Sequence, residues 1–184
     1  MYDYNHTAGG LIMANFLRGK KCYLSGPIQY AMEEFWRGEP IHELTERFGI
    51  EVFDPFADEK QKWSEEITVA KEKGDINQLV YISKQFVRKD LGMVDRCDFL
   101  IAYLPVGIPT IGTVHEIINS NDRKKPTLLV VNSGKITDIP LWYFGFIDTN
   151  YMFGSWLGLY EYLQKVNDGS ATDDSRWHLP CGLI

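Results

Sequence analysis

The stretch DFLIAYLP, Asp98 to Pro105, decides how the rest of the chain is read. It is apolar almost without interruption from Phe99 to Leu104. A strand with one wet face would alternate polar and apolar residues. An unbroken run suits a strand buried on both faces, as parallel strands between two helical layers are. The same signature recurs downstream in TLLVVN, residues 127–132, and upstream in KKCYLSGP, where a short strand from Cys22 to Ser25 is halted by Gly26-Pro27. GIEVFDPF, residues 49–56, supplies another strand with a proline stop.

Between these strands the periodicity changes. Ile76, Leu79, Ile82, Phe86, Leu91 and Val94 recur at roughly helical spacing between Asp75 and Cys97. Met32, Phe35, Trp36, Ile41, Leu44 and Phe48 predict helix over 30–48, broken into two pieces by Gly38 and Pro40. A short helix is expected to begin at Glu116 and to end near NSNDRKKP. Residues 57–74 are highly charged and read as a surface insertion or lid, and DIPLWYFGFI and NYMFGSWLGLYEYLQKV as further helical or aromatic segments. The order β-α-β-α-β-α-β predicts an α/β fold with a doubly wound parallel sheet. The chain has 184 residues, 45% of them hydrophobic, which suits a single domain with a real core. The expected division is an N-terminal arm over 1–19, an α/β catalytic domain over 20–166 and a C-terminal tail over 167–184.

A net charge of −6, with no basic run longer than pieces such as RKK at 123–125, argues against a nucleic acid polymer as partner. A small anion remains compatible, because amides at a helix start hold phosphate without Lys or Arg. The three cysteines, Cys22, Cys97 and Cys181, lack metal-ligand spacing, and Cys22 and Cys97 read as buried thiols. With neither an export signal nor an apolar run of membrane-spanning length, a cytoplasmic location and no membrane association are expected. His6, His42, His115 and His178 are scattered, so no metal and no cofactor are expected.

In a doubly wound sheet, ligands sit beyond the carboxyl ends of the strands, at the switch point. The loops that matter are therefore SGPIQY, DPFAD and PVGIPTIGT. In the first, Ser25, Gly26, Pro27 and Ile28 form either a ligand loop, with Gly26 admitting close backbone approach, or a plain turn. Asp90 lies late in the long helix and competes with Asp95 and Asp98, the latter read as a cap or turn residue. In the third loop, Thr113-Val-His-Glu116 has the spacing of a capping box, so Glu116 either ties off a helix or faces a substrate. Two converging carboxylates suit glycosidic chemistry: one attacks the anomeric carbon while the other, protonated, assists the leaving group. Withdrawal from water lets a carboxyl hold that proton nearer neutrality.

These residues carry a resemblance. KDLGMVDRCDFLIAYLPVGIPTIGTVHEI, residues 89–117, resembles the core signature of the nucleoside 2-deoxyribosyltransferases, with 26 positions from Asp90 to Glu116. KKCYLSGPI resembles the opening strand and ligand loop of the wider superfamily, which includes the 2′-deoxynucleoside 5′-monophosphate N-glycosidases. The resemblance covers roughly residues 20–146. It implies a flavodoxin-like fold, Glu116 as nucleophile and Asp90 as the acid that helps protonate the departing base. It also implies a double displacement through a glycosyl-enzyme, captured by a second base or by water.

Three departures shape what the resemblance implies. Thr110 stands six positions before the nucleophile, where the transferases usually carry Asp and the nucleotide N-glycosidases tend to carry Ser. With Ser25 and the amides of Gly112 and Thr113, Thr110 points to a phosphate pocket and leans the reading towards nucleotides. HEIIN lacks the family's common glycine after the glutamate, which reads as a packing change. DIPLWYFG resembles a segment often contributed by a neighbouring subunit, and here carries Trp142 and Tyr143, whose rings could stack on a base. The aromatic surplus over 142–162 and the resemblance both imply a homodimer or higher homo-oligomer. Two further readings stand beside this one: a glycohydrolase of a dinucleotide such as NAD, for which no dinucleotide-binding motif is present, and a non-catalytic nucleotide-binding module.

Overall fold

The computed structural model describes residues 15–27, 36–56, 60–108, 110–171 and 174–178. Ile28, Met32, Phe35, Pro109, most of the N-terminal arm and the end of the tail lie outside the described residues. Strands β1 (Lys21–Ser25), β2 (Glu51–Phe53), β3 (Phe99–Leu104), β4 (Thr127–Val131) and β5 (Met152–Phe153) form one sheet in the order β2-β1-β3-β4-β5. Every pairing is parallel. The doubly wound parallel sheet is thus present, with every residue of β3 and β4 buried, as unbroken apolar runs require.

Helix α1 (Gly38–His42) continues as a π-helical turn, Glu43–Arg47, and links β1 to β2. It shares a face of the sheet with α5 (Trp156–Asn167), joined to it by Tyr160 Oη donating to the Glu39 carboxylate at 3.2 Å. The other face carries α3 (Ile76–Arg96), packed against α4 (Ile111–Asp122). The chain leaves β1 towards β2 on one side and returns to β3 on the other. The carboxyl ends of β1 and β3 therefore diverge, and the switch point lies between Ser25 and Leu104.

Three elements differ from expectation. The charged segment read as an insertion or lid is helix α2 (Lys60–Lys73), packed on α3 through an edge-on contact of Trp63 with Phe86 at 6.0 Å. Gly74, at φ 65°, ends α2, and the Asp75 carboxylate, accepting from the Gln78 amide at 3.0 Å, starts α3. The fifth strand pairs Leu129 with Met152 and Val130 with Phe153, where the sequence suggested only helix or aromatic filler. Two residues are too few to show alternation. Finally, α4 begins at Ile111, five residues before Glu116.

The amino edge is closed by polar contacts. The Lys125 ammonium donates to the carbonyls of Val94 at 2.7 Å, Asp95 at 2.8 Å and Cys97 at 2.6 Å, satisfying the end of α3. Asp98 accepts from the Lys21 amide at 2.6 Å, which makes it a tie between the starts of neighbouring strands β1 and β3 where the sequence suggested a local cap or turn. Residues 174–178 fold back onto this end of the domain. Trp177 packs on Phe99 at 5.0 Å and donates to the Tyr162 hydroxyl at 2.7 Å.

Candidate active site at the switch point

Strand periodicity places Tyr23 and Ser25 on the same face of β1. Both are fully buried, and both reach Glu116 on α4. The Tyr23 hydroxyl donates to Glu116 Oε1 at 2.8 Å, and the Ser25 hydroxyl donates to Oε2. The two oxygens of one carboxylate are thus each held by a hydroxyl from the first strand. Glu116 itself is 8% exposed and is the sixth residue of α4, with its side chain crossing to the switch point. The capping-box reading fails for a positional reason. Thr110 is the residue preceding the helix, and its carbonyl accepts from the Val114 amide at 2.9 Å, so Thr113 and Glu116 lie inside the helix.

Asp90 faces the same cluster from α3. Burial first, and then the charges of Glu116 and Asp90, hold the Tyr23 hydroxyl well above its ordinary range. Tyr23 therefore keeps its proton, and remains a donor to Glu116, throughout the neutral range. One Asp90 carboxylate oxygen, Oδ1, is closed off from solvent. The competing acids serve structure: Asp95 pairs with Arg123 at 3.0 Å and Asp98 holds the amino edge.

A second buried group fixes the loop after β1. Arg37, 4% exposed, donates to the carbonyls of Leu24 at 2.8 Å and Gly26 at 3.2 Å and pairs with Asp54 at 2.9 Å. Burial pushes the Arg37 guanidinium down from its ordinary value, and the nearby Asp54, Tyr23, Glu116 and Asp90 push it back up. Asp54 lies in the expected ligand loop DPFAD; here its carboxylate also accepts from the Phe56 amide at 3.0 Å.

Gly26 is glycine because of packing. A Cβ there would lie 2.4 Å from Cζ2 of Trp36 and 3.3 Å from the Tyr103 carbonyl oxygen. Trp36 stacks on Tyr103 at 4.6 Å and on Trp156 at 6.0 Å, and the Arg37 guanidinium lies over its ring at 4.3 Å. Pro27 is buried beside this cluster in sequence.

The remaining expected positions are more open. Thr110 precedes α4 without a side-chain cap bond, Gly112 is exposed with nothing near a prospective Cβ, and Thr113 is buried. His115 is exposed. Trp142 is 79% exposed on the turn Leu141–Gly145, outside the ring cluster of Trp36, Tyr103, Trp156 and Tyr160. The sequence does not single out Tyr23, Arg37 or Tyr103, and marks Trp36 only as an apolar helix position. The available signal was a hydroxyl at Tyr23, two residues before Ser25 and hence on the same strand face.

Among the described residues no group of three or more His, Cys, Asp and Glu side chains could hold a metal ion, and no helix is long and apolar enough to cross a membrane. The site offers a carboxylate held at both oxygens, a second carboxylate nearby and a phenol that keeps its proton through the neutral range.

No family model and no curated protein matches the chain. Among solved structures, the chain is similar to the 2-deoxyribosyltransferase from the psychrotolerant bacterium Bacillus psychrosaccharolyticus, described as a biocatalyst for nucleoside synthesis. Identity is 19% and the TM-score 0.51, over 76% of this chain and 89% of that one. It also matches the CMP N-glycosidase BcmB of Clostridium botulinum at 18% identity and a TM-score of 0.41, over 80% of this chain and 98% of that one. The first likeness shows that the chain has the fold of a deoxyribosyltransferase.

Proposed function

We propose that the protein breaks or transfers the N-glycosidic bond of 2′-deoxyribonucleosides or their 5′-monophosphates through a covalent glycosyl intermediate on Glu116. The observation that carries this reading is the buried Glu116 carboxylate held by Tyr23 and Ser25 beside the switch point. A capping glutamate needs no such grip. A nucleophile does, because an oriented carboxylate reaches the anomeric carbon without further reorganisation. Asp90, within electrostatic reach of Tyr23, is assigned to protonate the departing base. The sugar–base bond breaks as the Glu116–C1′ bond forms; a second base or water then reverses the exchange, with net retention.

The substrate end of the site is assigned to the backbone of the loop Ser25 to Ile28 and to Thr110, Gly112 and Thr113 at the start of α4, where first-turn amides lack an acceptor within the helix and suit a phosphate. Trp142 is assigned to a base, supplied across a contact between copies of the chain in a homodimer or larger homo-oligomer.

The test is base release, followed by chromatography, from a panel of deoxynucleosides and their 5′-monophosphates, with and without a second base. Wild type is expected to release base, and Glu116→Gln to lose at least about a thousandfold in rate while keeping its fold. A Glu116→Gln protein that works at the wild-type rate ends the proposal. A swapped nucleoside marks transfer, and free sugar marks hydrolysis. Monophosphates are expected to outcompete nucleosides; a tenfold preference for nucleosides removes the phosphate pocket.

A further inference from the structure

We propose that Ser25 is a positioning residue for the second half of the reaction: its hydroxyl receives the returning charge on Glu116 as the glycosyl–enzyme bond breaks. This rests on the glycosyl reading above. Ser25 is fully buried at the end of β1, and its hydroxyl donates to Glu116 Oε2 while Tyr23 takes Oε1. A serine hydroxyl has a single hydrogen, and here it is committed to the carboxylate. Ser25 therefore acts on substrate through Glu116.

The two half-reactions use this contact in opposite ways. In the first, an oxygen of Glu116 bonds to C1′ and the bond from C1′ to the base nitrogen breaks. The base leaves with that electron pair and takes a proton from the Asp90 carboxyl. Negative charge leaves Glu116, so a donor that stabilises the ionised carboxylate opposes this step. In the second, a water oxygen bonds to C1′ and the bond from C1′ to Glu116 breaks. The electron pair returns to Glu116 and the water proton passes to the Asp90 carboxylate. Charge now grows where Ser25 and Tyr23 point, and hydrogen bonds that are weak to an ester strengthen as the carboxylate reforms. Interactions stronger in the transition state than in the preceding state accelerate the step. The Ser25 hydroxyl thus favours breakdown of the intermediate over its formation.

Ser25→Ala removes this donor with little change in volume. In rapid-quench measurements on the best substrate of the wild type, it is expected to release a burst of close to one base per site. A steady rate lowered about tenfold should follow. Intact mass should show one deoxyribosyl or deoxyribosyl phosphate group retained, on the peptide containing Glu116. Ser25→Cys, with a weak S–H donor, is expected to give a smaller burst and an intermediate steady rate. A residue that merely packs would slow both halves together and leave no adduct. Uniform slowing, or an unchanged rate, in Ser25→Ala overturns the role while the glycosyl reading stands on wild-type turnover. A wild type that releases no base removes both.

Discussion

Tyr23 lies in the middle of β1 and Glu116 in the middle of α4, 93 positions apart, yet one hydrogen bond of 2.8 Å joins them. With its proton held by burial and by two acidic neighbours, Tyr23 is a fixed donor. Tyr23→Phe keeps the ring in the core and removes only that donor. The expected result is a ten- to hundredfold lower steady-state rate of base release, because the carboxylate loses the donor on Oε1 that helps it reform when the proposed intermediate breaks down, while Ser25 still holds Oε2. Circular dichroism and steady-state kinetics on the same preparation separate this from unfolding. The resemblance to the deoxyribosyltransferase signature implies Glu116 and Asp90, but nothing in it points to Tyr23. Tyr23 counts as one more residue in an apolar run, and a contact across 93 positions has no local spacing by which to be recognised. Ser25 is visible as a loop-edge polar residue; its alignment with Glu116 depends on how α4 packs on β3, the neighbour of β1. Arg37 is likewise an ordinary helix-start residue until folding encloses it.

At the level of elements, four of the five strands are legible in sequence: β2, exposed to half-buried, as a short run with a proline stop, and the other three by burial on both faces. β1, β3 and β4 show unbroken apolar runs, whereas β5 has two residues and gains its identity only by pairing with β4. The Thr113–Glu116 spacing imitates a capping box, but Thr110 occupies the N-cap position and α4 starts at Ile111. The loop after β1 is held from two directions, and each predicts a cost. Arg37→Met leaves the largely enclosed Asp54 side chain, 12% exposed, without its cation and frees the Leu24 and Gly26 carbonyls. Loss of a buried partner of this kind costs about 3–5 kcal/mol, measurable as a lower urea midpoint. Gly26→Ala drives a methyl group into Trp36, whose ring cannot slide freely between Tyr103, Trp156 and Arg37. Overpacking of this size costs about 1–3 kcal/mol. Because Gly26 follows Ser25 directly, base release is expected to fall along with stability. An active, fully stable Gly26→Ala protein would show that the aromatic cluster yields more easily than its stacking implies.

Across the whole molecule, buried phenols and thiols tie stability to alkaline pH. Tyr23, Tyr151, Tyr160 and Tyr162 are held above the ordinary phenol range, in each case by burial first; acidic partners add to this, and for Tyr162 the Trp177 hydrogen bond works against it. Tyr151 and Tyr162 both donate to Asp174, at 2.6 Å and 2.9 Å to Oδ2, and so bind the 174–178 segment to the amino end of the domain. Burial also pushes the Cys22 thiol up and the Cys97 thiol to about 11, against the pull of Lys125 on Cys97. The sign follows from which state loses protons first. The unfolded chain releases thiol protons near about pH 8.5 and phenol protons near about pH 10, while the folded chain retains them. Between those values and the raised folded ones, deprotonation favours the unfolded state. The contribution of these groups is therefore complete below about pH 8 and is lost progressively above it. Urea midpoints are expected to hold level from these groups between neutrality and pH 8 and to fall steeply above pH 9.5, with tyrosinate absorbance appearing together with loss of helix. Tyr162→Phe should flatten the alkaline fall while lowering the midpoint at neutral pH, since it removes one titrating phenol together with its bonds to Asp174 and Trp177. Tyrosinate absorbance rising well before helix is lost would mean that these hydroxyls ionise inside the folded protein, and the coupling between the buried network and alkaline stability would fall.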